Sequence, residues 1–123
     1  MPKFSKTSKE KLVTCHRDLQ RLCNELIEYT DFTVICGHRT EEEQEEVYEN
    51  GYSMVPYPMS KHNRFPSIAV DIAPYPIDWE NVERWTIFVD MVKMLADKLG
   101  INIKCGRDFK SFKDYPHIEL VGR

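Results

Sequence analysis

No apolar run in this chain is long enough to cross a membrane, and no apolar core follows the positively charged start Met1-Pro2-Lys3-Phe4-Ser5-Lys6. Neither a spanning helix nor an ordinary secretory signal is therefore expected. A basic stripe is also missing: 17 Lys and Arg are interspersed with 20 Asp and Glu for a net charge of -3, which argues against nucleic acid as a partner. The four cysteines, Cys15, Cys23, Cys36 and Cys105, show no CxxC spacing. They read as reduced, mostly buried thiols of a chain made and kept in a cytoplasm, with Cys15 and Cys23 on the apolar face of a helix. Repeats, linkers and low-complexity tracts are absent as well. At 123 residues the expectation is one domain, 1–123, large enough for a real core but too short for a catalytic domain plus a separate binding module.

What is present reads as alternating helices and short strands. Leu12, Cys15, Leu19, Leu22, Leu26 and Ile27 recur at helical spacing, which predicts one amphipathic helix from about Ser8 to Tyr29. The β-branched run Phe32 to Cys36 predicts a core strand. Thr40 with Glu43 forms a capping box that opens a helix, and Gly51 ends it. Prolines 56, 58 and 66 make 52–66 a loop, and Ser67 to Ala73 reads as a strand carrying Asp71. Asp78 is expected to cap a long helix whose buried stripe is Val82, Trp85, Phe88, Val89, Val92, Leu95, Ala96 and Leu99, with Gly100 closing it. Strands over Ile101–Cys105 and His117–Val121 complete the chain. The order predicts an α+β domain with a small, mainly antiparallel sheet packed with helices.

Two separated segments carry chemistry: Ser60-Lys61-His62 through Asp71, and Asp114-Tyr115-Pro116-His117-Ile118-Glu119. His62, Asp71 and His117 offer two imidazoles and a carboxylate. Three such ligands with a fourth position open are what a catalytic zinc site needs, whereas a structural site closes all four. Zinc lowers the pKa of coordinated water to about 7, and a nearby carboxylate such as Asp114 then takes the proton. The chemistry indicated is amide hydrolysis. Each residue also has a plainer reading. Asp71 can form a salt bridge to Arg64 or Arg39, and Asp114 can be a turn residue before Tyr115-Pro116. Arg39 can be a surface arginine beside Glu41-Glu42-Glu43. Glu119 either orients a ligand imidazole or is solvated. His16 and His38 read as structural, Trp85 and Phe88 as core. Tyr52, Tyr57 and Phe65 either line a cleft or pack their loop.

The pattern S-x-H, A-x-D and D-x-P-H resembles the D-Ala-D-Ala carboxypeptidase and VanY-type zinc peptidases, and most of all the L-alanyl-D-glutamate endopeptidases that serve as bacteriophage endolysins. Gly37-His38-Arg39-Thr40 with Gln44, Tyr48, Gly51 and Ser53 is similar to the family's upstream stretch. Leu99-Gly100-Ile101 and Cys105-Gly106-Arg107-Asp108-Phe109 are similar to its downstream one. The sequence departs from the family in a longer spacing between His62 and Asp71, in Ser67 where a glycine is expected, and in Cys105 and Arg107 where a tryptophan and a glycine are expected.

The resemblance implies a hedgehog-like fold with one Zn2+ on the sheet held by His62, Asp71 and His117. It further implies Asp114 as general base, Arg39 on the substrate carbonyl, and Ser60 touching substrate or a ligand. It implies a monomeric endolysin without a separate cell-wall-binding domain. Such an enzyme waits in the host cytoplasm until a holin opens the membrane, and then acts on peptidoglycan in the periplasm. A D-alanyl-D-alanine-type carboxypeptidase and a non-catalytic wall-binding or virion module are the alternatives.

Overall fold

A computed structural model describes residues 2–110 and 113–122. Its elements are α1 (Lys6–Leu12), α2 (Arg17–Leu26), β1 (Phe32–Cys36), α3 (Glu41–Glu49), β2 (Ala69–Pro74), α4 (Val82–Leu99), β3 (Ile103–Cys105) and β4 (His117–Leu120). Short 3-10 turns lie at Lys61–Asn63 and Gly106–Asp108. The strands form one sheet in the order β1-β2-β4-β3, with every pairing antiparallel. This is the α+β architecture expected. Positions 111 and 112, in the loop expected between Gly106 and Asp114, lie outside the described residues.

The core is where the helix stripes meet the sheet. Leu19, Leu22, Leu26 and Cys23 of α2 and Trp85, Val89 and Val92 of α4 are buried with Val34, Val70, Ile72 and Ile118 of the strands. Burying such side chains supplies the main driving force for folding, at roughly 25 cal/mol per Å² of apolar surface. Burial also pushes the thiols of Cys15 and Cys105 up to about 12 and 11, and raises Cys23 as well. These are packed, unreactive thiols.

Three expectations are corrected. The first helix is two helices, broken between Leu12 and Arg17. Thr14 turns its hydroxyl onto the Lys11 carbonyl, its own carbonyl accepts from the Ser67 N–H, and the His16 N–H donates to the Ser67 carbonyl. Cys15 thereby forms a parallel bridge with Ser67. Side-chain bonding and a tertiary partner override local helical periodicity here. His16 restarts the helix, with its Nδ1 accepting the Asp18 N–H. Secondly, Asn81, not Asp78, caps α4: its side chain accepts the Arg84 N–H, while the Asp78 side chain accepts from Glu80 and its carbonyl accepts the Trp85 indole N–H. Thirdly, Val82 is 53% exposed, outside the stripe that begins at Trp85.

Other local predictions match. Thr40 and Glu43 complete a capping box, and Gly100 closes α4 at φ 72°, a left-handed conformation that glycine adopts without penalty.

Gly106 is needed for a different reason. A Cβ there would collide with the Asp114 carbonyl oxygen and sit 2.9 Å from the His117 Cβ. The absent side chain lets the Asp114 N–H bond the Gly106 carbonyl at 3.0 Å, which seats the turn leading into β4. Gly106→Ala is expected to destabilise the fold by about 1–3 kcal/mol, the usual cost of overpacking, measured by urea unfolding. An unchanged midpoint would mean that the two segments separate freely.

Candidate metal centre

Strand register brings the key side chains together. Asp71 on β2 is the ladder partner of His117 on β4, and on its other side it faces Cys36 at the end of β1. A register shift between Val34 and Cys36 marks a bulge in β1; such bulges re-aim side chains beside functional sites. His62 arrives from the 3-10 turn Lys61–Asn63, whose start is capped by Ser60 accepting the His62 N–H at 3.2 Å. Asn63 returns a bond to the Ser60 N–H, and the His62 carbonyl accepts the Arg39 N–H at 2.8 Å. The turn is thus tied to the start of α3.

The imidazoles converge on one carboxylate oxygen. His62 Nε2 and His117 Nδ1 each lie 3.2 Å from Asp71 Oδ1, with ring centroids 5.2 Å apart. The far nitrogen of each ring is occupied. His62 Nδ1 is 2.8 Å from the Gly37 carbonyl oxygen, and His117 Nε2 is 2.8 Å from Glu119 Oε1. A carbonyl and an ionised carboxylate only accept, so these nitrogens carry the protons. The nitrogens turned toward Asp71 are then the ones with lone pairs to give. Two imidazole lone pairs and a carboxylate converging in a buried site are an unfavourable set unless each ring takes a second proton or a cation lies among them. The donor set therefore fits a divalent cation, with the far-side partners that ligating histidines ordinarily have. Donor atoms of Asp71, Asp114 and His117 lie within 4.8 Å of one another, and so do those of Cys36, His62 and Asp71.

The electrostatics reflect this crowding. Burial favours a neutral His62, but the charge and hydrogen bond of Asp71 outweigh it and push the ring up to about 10. His117 is likewise raised, to about 9, against its burial, by hydrogen bonds to Asp71 and Glu119. Burial opposes ionisation of Asp71, yet the two imidazoles hold its carboxyl well below the usual range. Asp114 behaves oppositely: burial first, then the Asp71 charge, raises its carboxyl above the usual range.

The site opens into a cleft of about 860 Å³. The residues expected to bind metal, act as base or touch substrate all line it: Arg39, Ser60, His62, Asp71, Asp114, His117 and Glu119. Tyr52 lines it too, whereas Tyr57 and Phe65 do not; Phe65 instead meets the His38 ring edge-on at 5.2 Å. The two alternative readings of Asp71 merge in part, since Arg39 Nη2 stands 3.9 Å from Asp71 Oδ2. Glu119 is bonded to an imidazole and not simply solvated.

Two participants have no site role assigned to them from the sequence. Cys36, expected only to pack, has its sulfur 3.8 Å from His62 Nδ1 and 3.6 Å from Arg39 Nη2. Gln44 is fully buried; its Oε1 accepts from Arg39 Nη1 at 2.9 Å and from Asn63 Nδ2, while its Nε2 donates to Ser53 and to the Val55 carbonyl. A glutamine at an inward position of α3 is the signal for such a network. The bulge that brings Cys36 in has no local signature.

A cation taken up here competes with protons on His62 and His117, because Asp71 and Glu119 raise these rings above the usual imidazole range. The sign follows: affinity rises with pH up to about 9–10, where the rings lose those protons by themselves. Calorimetric titration of zinc at pH 7 in buffers of different ionisation enthalpy should show about two protons released per ion. Release of none would mean that both imidazoles are already neutral at pH 7, against the upward shift that Asp71 and Glu119 impose on them.

The family model described as phage L-alanyl-D-glutamate peptidase matches residues 1–121. An L-alanyl-D-glutamate peptidase of Escherichia phage T5 is 31% identical over 135 aligned residues, covering 97% of this chain and 98% of the relative. The crystal structure of the L-Ala D-Glu endopeptidase ChiX of Serratia marcescens has a TM-score of 0.82 at 29% identity, over 96% of this chain and 89% of that one. With its sequence matched nearly end to end and its sheet carrying the candidate ligands, the chain belongs to the phage L-alanyl-D-glutamate peptidase family.

Proposed function

We propose that this protein is a zinc peptidase that hydrolyses the bond between L-alanine and D-glutamate in peptidoglycan stem peptides, serving as an endolysin in host lysis. The observation that carries the reading is the convergence of His62, Asp71 and His117 beside Asp114 in the cleft of a chain from this family. Two imidazoles and one carboxylate suit zinc better than a hard cation, which prefers oxygen ligands throughout. A zinc ion held there acidifies water and polarises a carbonyl oxygen.

The chain's own groups do the rest. Asp114 is the general base: its raised carboxyl is basic enough to accept a proton from water and acidic enough to hand it to the leaving amine. Arg39 directs a guanidinium into the cleft, where it stabilises negative charge on the scissile carbonyl oxygen. Gln44 holds that guanidinium in place, so little ordering remains to be done when substrate arrives. Glu119 and the Gly37 carbonyl fix the imidazole tautomers, and Ser60 fixes the turn that presents His62. Residues 1–123 act as one monomeric peptidase domain, kept in the host cytoplasm until a holin admits it to the periplasm.

Digestion of purified peptidoglycan by zinc-loaded protein, beside an Asp114→Ala variant, tests this directly by mass spectrometry of new N-termini. The expected products are D-glutamate amines, formed at least about 10²-fold faster by the wild type, the usual span for a general base. Released D-alanine would make it a carboxypeptidase instead. No products from zinc-bound protein would leave a wall-binding or virion module.

A further inference from the structure

The scissile bond assigned above has a chemical peculiarity. In a stem peptide D-glutamate continues the chain through its side-chain carboxyl, so its α-carboxylate stays free on the carbon bonded to the scissile nitrogen. That anion must enter a cleft that already holds Asp71, Asp114 and Glu119. With zinc and Arg39 set against those three carboxylates the cleft is close to neutral before its lysines are counted, so a further anion gains from a cation of its own.

Three cationic side chains line the cleft: Arg39, Lys61 and Lys113. Two are engaged. Arg39 bonds Gln44 Oε1 and stands 3.9 Å from Asp71, and the Lys113 ammonium donates to the Arg107 carbonyl at 3.0 Å. Lys61 is exposed and makes no hydrogen bond or ion pair among the described residues. Its electrostatic neighbour is Glu119, which is itself bonded to His117. Lys61 also adjoins His62 in the 3-10 turn capped by Ser60 and Asn63, so its backbone is held beside the metal centre while its ammonium stays uncommitted.

From this placement we infer that Lys61 is the specificity-determining cation that receives the free α-carboxylate of D-glutamate, resting on the endopeptidase reading above. Lys61 makes the enzyme prefer stems with a free α-carboxylate over stems whose D-glutamate is α-amidated. An amide presents no charge to the ammonium and cannot repay its desolvation. A purely structural part for Lys61, holding Glu119 or the turn, would slow both stems alike.

The test uses two soluble muramyl tetrapeptides that differ only in whether the D-glutamate α-carboxyl is free or amidated. Rates are measured for zinc-loaded wild type, Lys61→Gln and Lys61→Arg. The wild type should favour the free acid by about tenfold in kcat/KM, the lower end for a hydrogen bond between charged groups. Lys61→Gln should bring that ratio close to one, chiefly by raising KM for the acid, and Lys61→Arg should restore it. Because each variant is its own control, a general loss of folding or metal does not imitate this pattern. An equal ratio in wild type and Lys61→Gln overturns the inference and leaves the endopeptidase standing. Failure of the wild type to cut either stem between L-alanine and D-glutamate overturns both.

Discussion

The register that sets Asp71 opposite His117 is the constraint on which the site depends. Side chains alternate across a strand, so a slip of one residue between β2 and β4 would send Asp71 and His117 to opposite faces. The register is held by what lies to either side of the site. Val70 and Ile72, flanking Asp71, are buried in the core, as are Ile118 and Leu120 beyond His117. The same alternation that buries those apolar neighbours turns Asp71, His117 and Glu119 to the other face. Core packing and site geometry are therefore consequences of a single pairing.

Around that pairing the chain spends much of its polar chemistry on orientation. Gly37 lends a carbonyl to His62, Glu119 lends a carboxylate to His117, and Gln44 locks Arg39 to the turn that carries His62. No buried side-chain nitrogen or oxygen among the described residues lacks a partner. A site with so many charges in so little volume requires this, since each unpaired buried group costs about 1–3 kcal/mol. Gly106 adds a steric condition by letting Asp114 approach the start of β4. The cleft thus brings a base, a guanidinium and a three-donor set together on rigid elements, with Lys61 at the edge and uncommitted.

What could be read from the sequence was local in origin. The capping box at Thr40 and Glu43, the glycine stop at Gly100, the β-branched run before Gly37 and the stripe of α4 from Trp85 onward each follow from neighbours within a turn or two. The candidate ligands were legible because His62, Asp71, Asp114 and His117 sit in compact motifs of distinctive chemistry. The break at Thr14 was not legible, because its partner Ser67 is distant in sequence and the apolar spacing continues across it. Asp78 and Asn81 are both good capping residues, and the Trp85 indole on the Asp78 carbonyl decides between them. Cys36 enters the site through a bulge, a property of pairing and not of local pattern.

X-ray absorption at the zinc edge of the loaded protein tests the central claim, that two imidazoles and Asp71 share one cation. A single zinc with nitrogen and oxygen neighbours at about 2.0–2.2 Å and multiple-scattering features of two imidazoles is expected. A sulfur neighbour at about 2.3 Å would place Cys36 on the metal, and a shell without imidazole would contradict the assignment of His62 and His117.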